Sequence, residues 1–178
     1  LFFFDFFYFL WYNIHINEKI EENFTMKIYT DGSNQAKTGR AGFGVVVFDD
    51  DNKLLYAHSK ESETASTNNE QEMLAILYAL MRYGREKPIP DVYTDSSYAY
   101  NTFIDWMYRW EKNNWLTSTN TKPKNLDIVK MFYEFTVNQH FKINLHLIKG
   151  HSEILGNELA DKLATGEKTV KEVIDEYS

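Results

Sequence analysis

Two short apolar segments of this chain end alike. IYTDGS (28–33) and VYTDSS (92–97) each run β-branched and aromatic residues into an aspartate followed at once by small polar residues. Runs of that composition bounded by turn residues read as buried strands. In an open α/β sheet, ligands gather in the crevice outside the carboxyl ends of the strands. If the two strands are parallel neighbours, Asp31 and Asp95 therefore converge at one edge.

The intervening sequence supplies what such a sheet needs. Met26–Thr30 is expected to form a strand that stops at Asp31-Gly32-Ser33. Gly42–Phe48 (GFGVVVF) and Leu54–His58 flank Asp49-Asp50-Asp51-Asn52 as a hairpin. Thr67-Asn68-Asn69 offers N-cap candidates before EQEMLAILYALMRYG, where Met73, Ile76, Leu77 and Leu80 share one helical face and Gly84 ends the helix. Pro88 and Pro90 bracket the next turn. Ser96 and Ser97 cap a helix expected to reach about Ile104. A helix over 125–137, a strand over 141–148 and a helix over 153–165 follow. Thr169 and Glu172 fit a capping box opening a last short helix. The order is β-β-β-α-β-α, a longer helical and loop region, then α-β-α.

Two further acids join Asp31 and Asp95: Glu72 in the first turn of the long helix, and Asp161 within the 153–165 helix. Four carboxylates aimed into one cleft repel one another and are stable only with bound cations. Hard oxygen ligands select Mg²⁺, with Mn²⁺ as substitute. Two such ions about 4 Å apart clamp the attacking and leaving oxygens of a phosphoryl displacement. Taken singly, each acid also fits a plainer role: turn residue or helix cap for Asp31 and Asp95, first-turn acid for Glu72, exposed helix charge for Asp161.

Composition sets limits. The chain has 178 residues and no cysteine, which excludes disulfides and thiolate metal sites. Its formal net charge of −7, taken alone, opposes a nucleic-acid partner. Nine aromatics fall in residues 1–12, LFFFDFFYFLWY, but a transmembrane helix needs about 20 consecutive apolar residues and Asp5 and Asn13 interrupt this run. No basic n-region or cleavage site marks a secretory signal. An intracellular location, cytoplasmic or nuclear, is expected, with no membrane partner. We expect residues 1–25 to be an aromatic-rich extension outside the fold, 26–167 the catalytic domain and 168–178 a C-terminal tail.

IYTDGS (28–33), TNNEQEMLAILYAL (67–80), YTDSSY (93–98), KGHS (149–152) and GNELADKLA (156–164) occur in the order of the type 1 ribonuclease H family, which the chain resembles over roughly 26–166. The resemblance implies an α/β, RNase H-like fold: a mixed five-stranded sheet, three antiparallel strands plus parallel strands, flanked by helices. It implies a monomer acting on RNA/DNA hybrids. It places the family's metal-binding catalytic acids on Asp31, Glu72, Asp95 and Asp161, and its mobile-loop histidine on His151, assisting proton transfer or product release. Glu70 is too early for the motif and is expected to face solvent.

RNA is distinguished from DNA through its 2′-hydroxyl, which backbone and amide groups sense well. The resemblance assigns that contact to Gly32, Ser33, Asn34, Asn68 and Asn69; a helix N-cap is the plainer role for the asparagines. Trp106–Lys124 resembles the family's protruding DNA grip. Its Trp106 and Trp110, at i and i+4, suit either sugar and base platforms or a helix core. Thr67, Ser118 and Asn125 match phosphate-holding positions, while Glu111 and Ala65 replace usually basic residues. The predicted reaction is water attack on the RNA phosphorus with departure of the 3′-oxygen, leaving 5′-phosphate and 3′-hydroxyl ends. A DNA-acting nuclease of the same superfold, a silent hybrid-binding module and a domain excised from a reverse transcriptase are the alternatives. With four acids assigned to cations, the acidic balance ceases to exclude nucleic acid and instead makes binding depend on divalent metal.

Overall fold

The computed structural model describes residues 24–35, 37–150 and 153–178. Residues 1–23, which make up nearly all of the expected extension, and His151 lie outside them.

Five strands form one sheet in the order β3-β2-β1-β4-β5: β1 Lys27–Gln35, β2 Arg40–Phe48, β3 Leu54–Glu61, β4 Asp91–Thr94 and β5 Asn144–Leu147. The first three are antiparallel, and β1-β4 and β4-β5 are parallel. This is the expected mixed sheet. β2 reads as a continuous apolar run because helices cover both its faces. Phe43, Val45 and Val47 pack with Ile28 against helix α1, Asn68–Tyr83; Val46 and Phe48 pack against Leu159, Ala160 and Leu163 of helix α5, Leu155–Thr165.

A second layer lies outside α1. Helix α2 (Ser97–Asn101) continues through a π-helical turn, Thr102–Trp106, into α3 (Met107–Lys112). The helix thus passes Ile104, where the sequence predicts its end, because Phe103, Met107 and Trp110 extend the apolar stripe onto α1. Helix α4 (Leu126–Tyr133) runs into a second π-helical turn, Glu134–Asn138, and Phe132 stacks on Phe103 with ring centroids 3.9 Å apart. Enclosed by sheet and outer layer, α1 buries most of its circumference. The tail forms helix α6 (Val170–Tyr177), opened by the expected capping box and anchored by fully buried Val173 against Leu54 and Ala57 of β3.

β1 does not stop at Asp31. Asp31, Gly32 and Ser33 remain in the antiparallel ladder opposite Gly44, Phe43 and Gly42, and pairing continues to Gln35 opposite Arg40. Only the parallel partner ends: Thr30 opposite Thr94 is the last β1-β4 pair. β5 is also shorter than expected and begins at Asn144.

Candidate active site

Asp31 and Asp95 each follow a member of that last parallel pair, so both stand where β1 and β4 diverge. The threonines before them fix the split. Thr30 is fully buried and its hydroxyl donates to the Tyr93 carbonyl at 3.1 Å; the Thr94 hydroxyl accepts the Ser96 amide at 3.1 Å, turning the chain out of β4. The Ser96 hydroxyl then accepts the Ala99 amide as the cap of α2. Convergence of the two aspartates is therefore written into the two YTD segments.

Glu72 arrives from α1. The cap is Thr67, whose hydroxyl accepts the Glu70 amide at 3.2 Å, so Glu72 lies beyond the first turn, where the sequence had placed it, and points inward. Glu70 is in the first turn and is held by the Ser66 hydroxyl at 2.9 Å rather than left to solvent. Gly32 lets α1 approach: a Cβ there would stand 2.1 Å from the Glu72 amide nitrogen.

Asp31, Glu72 and Asp95 offer carboxylate oxygens that all lie within 4.8 Å of one another. The first two are 8% exposed, and the Glu72 Oε2 has no hydrogen-bond partner among the described residues. Burial, then the charges of Asp95 and Asp161, push the Asp31 carboxyl up to about 7, against a bond from the Gly32 amide to its Oδ1 at 2.8 Å. Burial, followed by Asp31 and Asp95, holds Glu72 well above the usual carboxylate range. A buried all-oxygen set that resists ionisation until a positive charge arrives fits a hard divalent cation. Asp161 stands apart from this trio, half-buried on α5, and acts on Asp31 through its charge.

The other predicted residues divide. The Asn68 Oδ1 accepts the Asn34 amide at 2.5 Å, and the Asn34 side chain donates to the Ser66 carbonyl at 2.8 Å, tying β1 beyond Asp31 to the start of α1. Gly32 and Ser33 lie in the same stretch, and Asn69 is exposed in the first turn of α1. Thr67 is exposed but spends its hydroxyl on the cap. In the protrusion, Trp110 packs on the outer core, whereas Trp106 rests between Tyr98 and Trp110 at 5.7 and 6.0 Å. Ser118 is exposed in the loop after α3; Asn125 precedes α4 with φ 57°, its side chain making no capping bond to that helix but donating to the Met73 sulfur at 3.8 Å. Of this stretch, Met107 and Trp110 pack in the core shared with α1 and Asn125 reaches Met73 of α1, while none of residues 106–125 belongs to the acid trio.

One site residue escapes the sequence reading. Asn157, in the first turn of α5, is 5% exposed and donates from Nδ2 to Asp95 Oδ2 at 3.0 Å. Its signal was available: it stands at i−4 from Asp161, on the same helical face.

The mixed five-stranded sheet, with an acid cluster that could hold a divalent metal, defines an α/β domain of the RNase H-like class. The RNase H family model matches residues 23–168. A "Ribonuclease H" of Orientia tsutsugamushi is 36% identical over 150 residues, spanning 84% of this chain and 85% of that protein. The chain belongs to the RNase H family and is a ribonuclease H enzyme. Among solved structures, the PFV RNase H domain shares the fold with a TM-score of 0.68 and 24% identity, covering 83% of this chain and 96% of that one. A foamy viral protease-reverse transcriptase in complex with RNA/DNA hybrid does so with a TM-score of 0.67 and 17% identity, covering 85% of this chain and 21% of that one. No helix among the described residues is long and apolar enough to cross a membrane.

Proposed function

We propose that the protein hydrolyses the RNA strand of RNA/DNA hybrids with two Mg²⁺ ions, Mn²⁺ substituting, held by Asp31, Glu72, Asp95 and Asp161. The observation that carries this reading is the trio of carboxylates within 4.8 Å where β1 and β4 part, joined by the charge of Asp161. Bound divalent ions supply Lewis-acid activation of water and stabilise the departing 3′-oxygen. The chain supplies everything else. Asp31 and Glu72 would take up their anionic form when a cation binds, because burial and the neighbouring carboxylates disfavour it otherwise. Gly32, Ser33, Asn34, Asn68 and Asn69 stand together beside the acids; their backbone and amide groups suit a ribose 2′-hydroxyl, and the Asn34–Asn68 bond fixes their spacing. His151 is assigned to assisting proton transfer or product release; its neighbour Gly150 approaches Asp95, a Cβ there falling 3.0 Å from Oδ2. Trp106, Trp110, Thr67, Ser118 and Asn125 are assigned to gripping the DNA strand. Residues 26–167 form the catalytic unit, acting as an intracellular monomer without residues 1–25.

The test compares end-labelled RNA/DNA hybrid, double-stranded RNA and double-stranded DNA with Mg²⁺ and with EDTA. Cleavage of the hybrid's RNA alone, in Mg²⁺ alone, with 5′-phosphate products, is expected. Asp95→Asn should abolish it while leaving the fold intact. Near-parental cleavage by that variant, or equal cleavage of double-stranded DNA, overturns the reading.

A further inference from the structure

Asn157 presents an asymmetry that the proposed chemistry does not use. Its Nδ2 donates to Asp95 Oδ2 at 3.0 Å, while its buried Oδ1 has no hydrogen-bond partner among the described residues. The orientation of the amide is set by chemistry: a carboxylate oxygen only accepts, so the NH₂ group must face it. The backbone beneath packs closely on the sheet. Gly156 lies so close to Tyr29 that a Cβ there would fall 2.1 Å from its ring, and the Ala160 carbonyl stands 2.2 Å from where a Cβ on Gly44 would be. Helix α5 is thus seated close against β1 and β2 at the turn that carries Asn157.

We infer that Asn157 is a positioning residue for Asp95, holding its carboxylate by a neutral donor with the rest of that group turned to the cation, and presenting Oδ1 to a donor that enters with metal or substrate. This rests on the reading of Asp31, Glu72 and Asp95 as metal ligands. A neutral amide suits the position because a cation there would compete with the metal, and a carboxylate would repel Asp95. Groups that orient metal ligands in this way are worth about 10- to 100-fold in metal affinity when removed.

The test uses the full chain. Mg²⁺ affinity without substrate is measured by calorimetry, kcat and KM on RNA/DNA hybrid are measured in saturating Mg²⁺, and the Asn157 side-chain amide is followed by NMR. Asn157→Ala is expected to weaken Mg²⁺ at least ~10-fold and to lower kcat with hybrid KM within about twofold, whereas Asn157→Ser, which keeps a donor, recovers part of both. In the parent protein the Asn157 amide resonances should shift on Mg²⁺ saturation and in Asp95→Asn. A folded Asn157→Ala with parental Mg²⁺ affinity and kcat overturns the inference. So do amide resonances indifferent to both Mg²⁺ and Asp95→Asn, which need no Asn157 variant to fold. Parental Mg²⁺ affinity in Asp31→Asn would instead sink the metal site beneath it.

Discussion

A Cβ placed on Gly32 would stand 2.1 Å from the backbone nitrogen of Glu72. The absence of a side chain in β1 is thus what brings α1 to its seat and Glu72 to the acids. Gly32→Ala should push α1 outward, cost about 1–3 kcal/mol of stability in denaturant melts, and weaken Mg²⁺ binding further than that loss of fold explains. Unchanged Mg²⁺ affinity by calorimetry would show that this contact does not set the position of Glu72.

Metal-free protein should lose stability as pH rises. The Asp31 carboxyl sits at about 7 in the fold against an ordinary value of 3.8. Between those values the folded state binds more protons than the unfolded one, so this group's contribution falls as pH climbs from about 4 to about 7. Denaturant melts in EDTA at pH 5, 6, 7 and 8 should show the slope, and Asp31→Asn should flatten it and raise stability at pH 8. Saturating Mg²⁺ should reverse it in the parent. A variant as pH-sensitive as its parent contradicts the assignment.

A second group works oppositely over the same window. His58 of β3 is stacked on Tyr78 at 4.5 Å, and burial, then the charges of Arg82 and Lys60, lowers it to about 4 from 6.5. The unfolded state binds more protons there, so stability is lost as pH falls from about 6.5 towards 4. His58→Phe should improve the melting temperature at pH 5 relative to pH 8 and leave hybrid cleavage at pH 8 unchanged. An acid limb identical to the parent's would exclude His58 as its source.

The C-terminal helix is part of the fold, packed on β3, two strands away from β1 and its Asp31. Thr169 caps α6 reciprocally with Glu172, and Val173 is fully buried. Thr169→Ala should cost about 1 kcal/mol, and a chain ending at 167 should melt lower while retaining Mg²⁺-dependent cleavage below its melting point. Complete loss of activity in such a folded truncation would attach α6 to catalysis.

What the sequence made legible follows from where each property resides. The strands before Asp31 and Asp95 and the apolar face of α1 are local patterns, and those elements appear where the periodicity puts them. The end of β1 is not local: Asp31-Gly32-Ser33 has turn composition, yet β2 keeps it in the ladder through Gln35. The passage of α2 into α3 depends on α1 accepting Phe103 and Met107, which no capping signal announces. Asn157 reads as one more polar residue of an amphipathic helix until Asp95 is brought to it. The four acids were readable mainly through the resemblance, since each alone passes for a cap or a solvated charge.

Thr30 and Tyr93, joined by a hydroxyl bond at the split of the sheet, are 63 residues apart in the chain. Pairing so distant in sequence carries a loop-closure cost, so β4 is expected to join the sheet late in folding. An intermediate holding only the hairpin strands and α1 would possess Asp31 and Glu72 without Asp95. Divalent metal should therefore act chiefly on the unfolding rate and little on the refolding rate, so that a cation held by these acids would be a clasp on the finished molecule rather than a guide to its assembly.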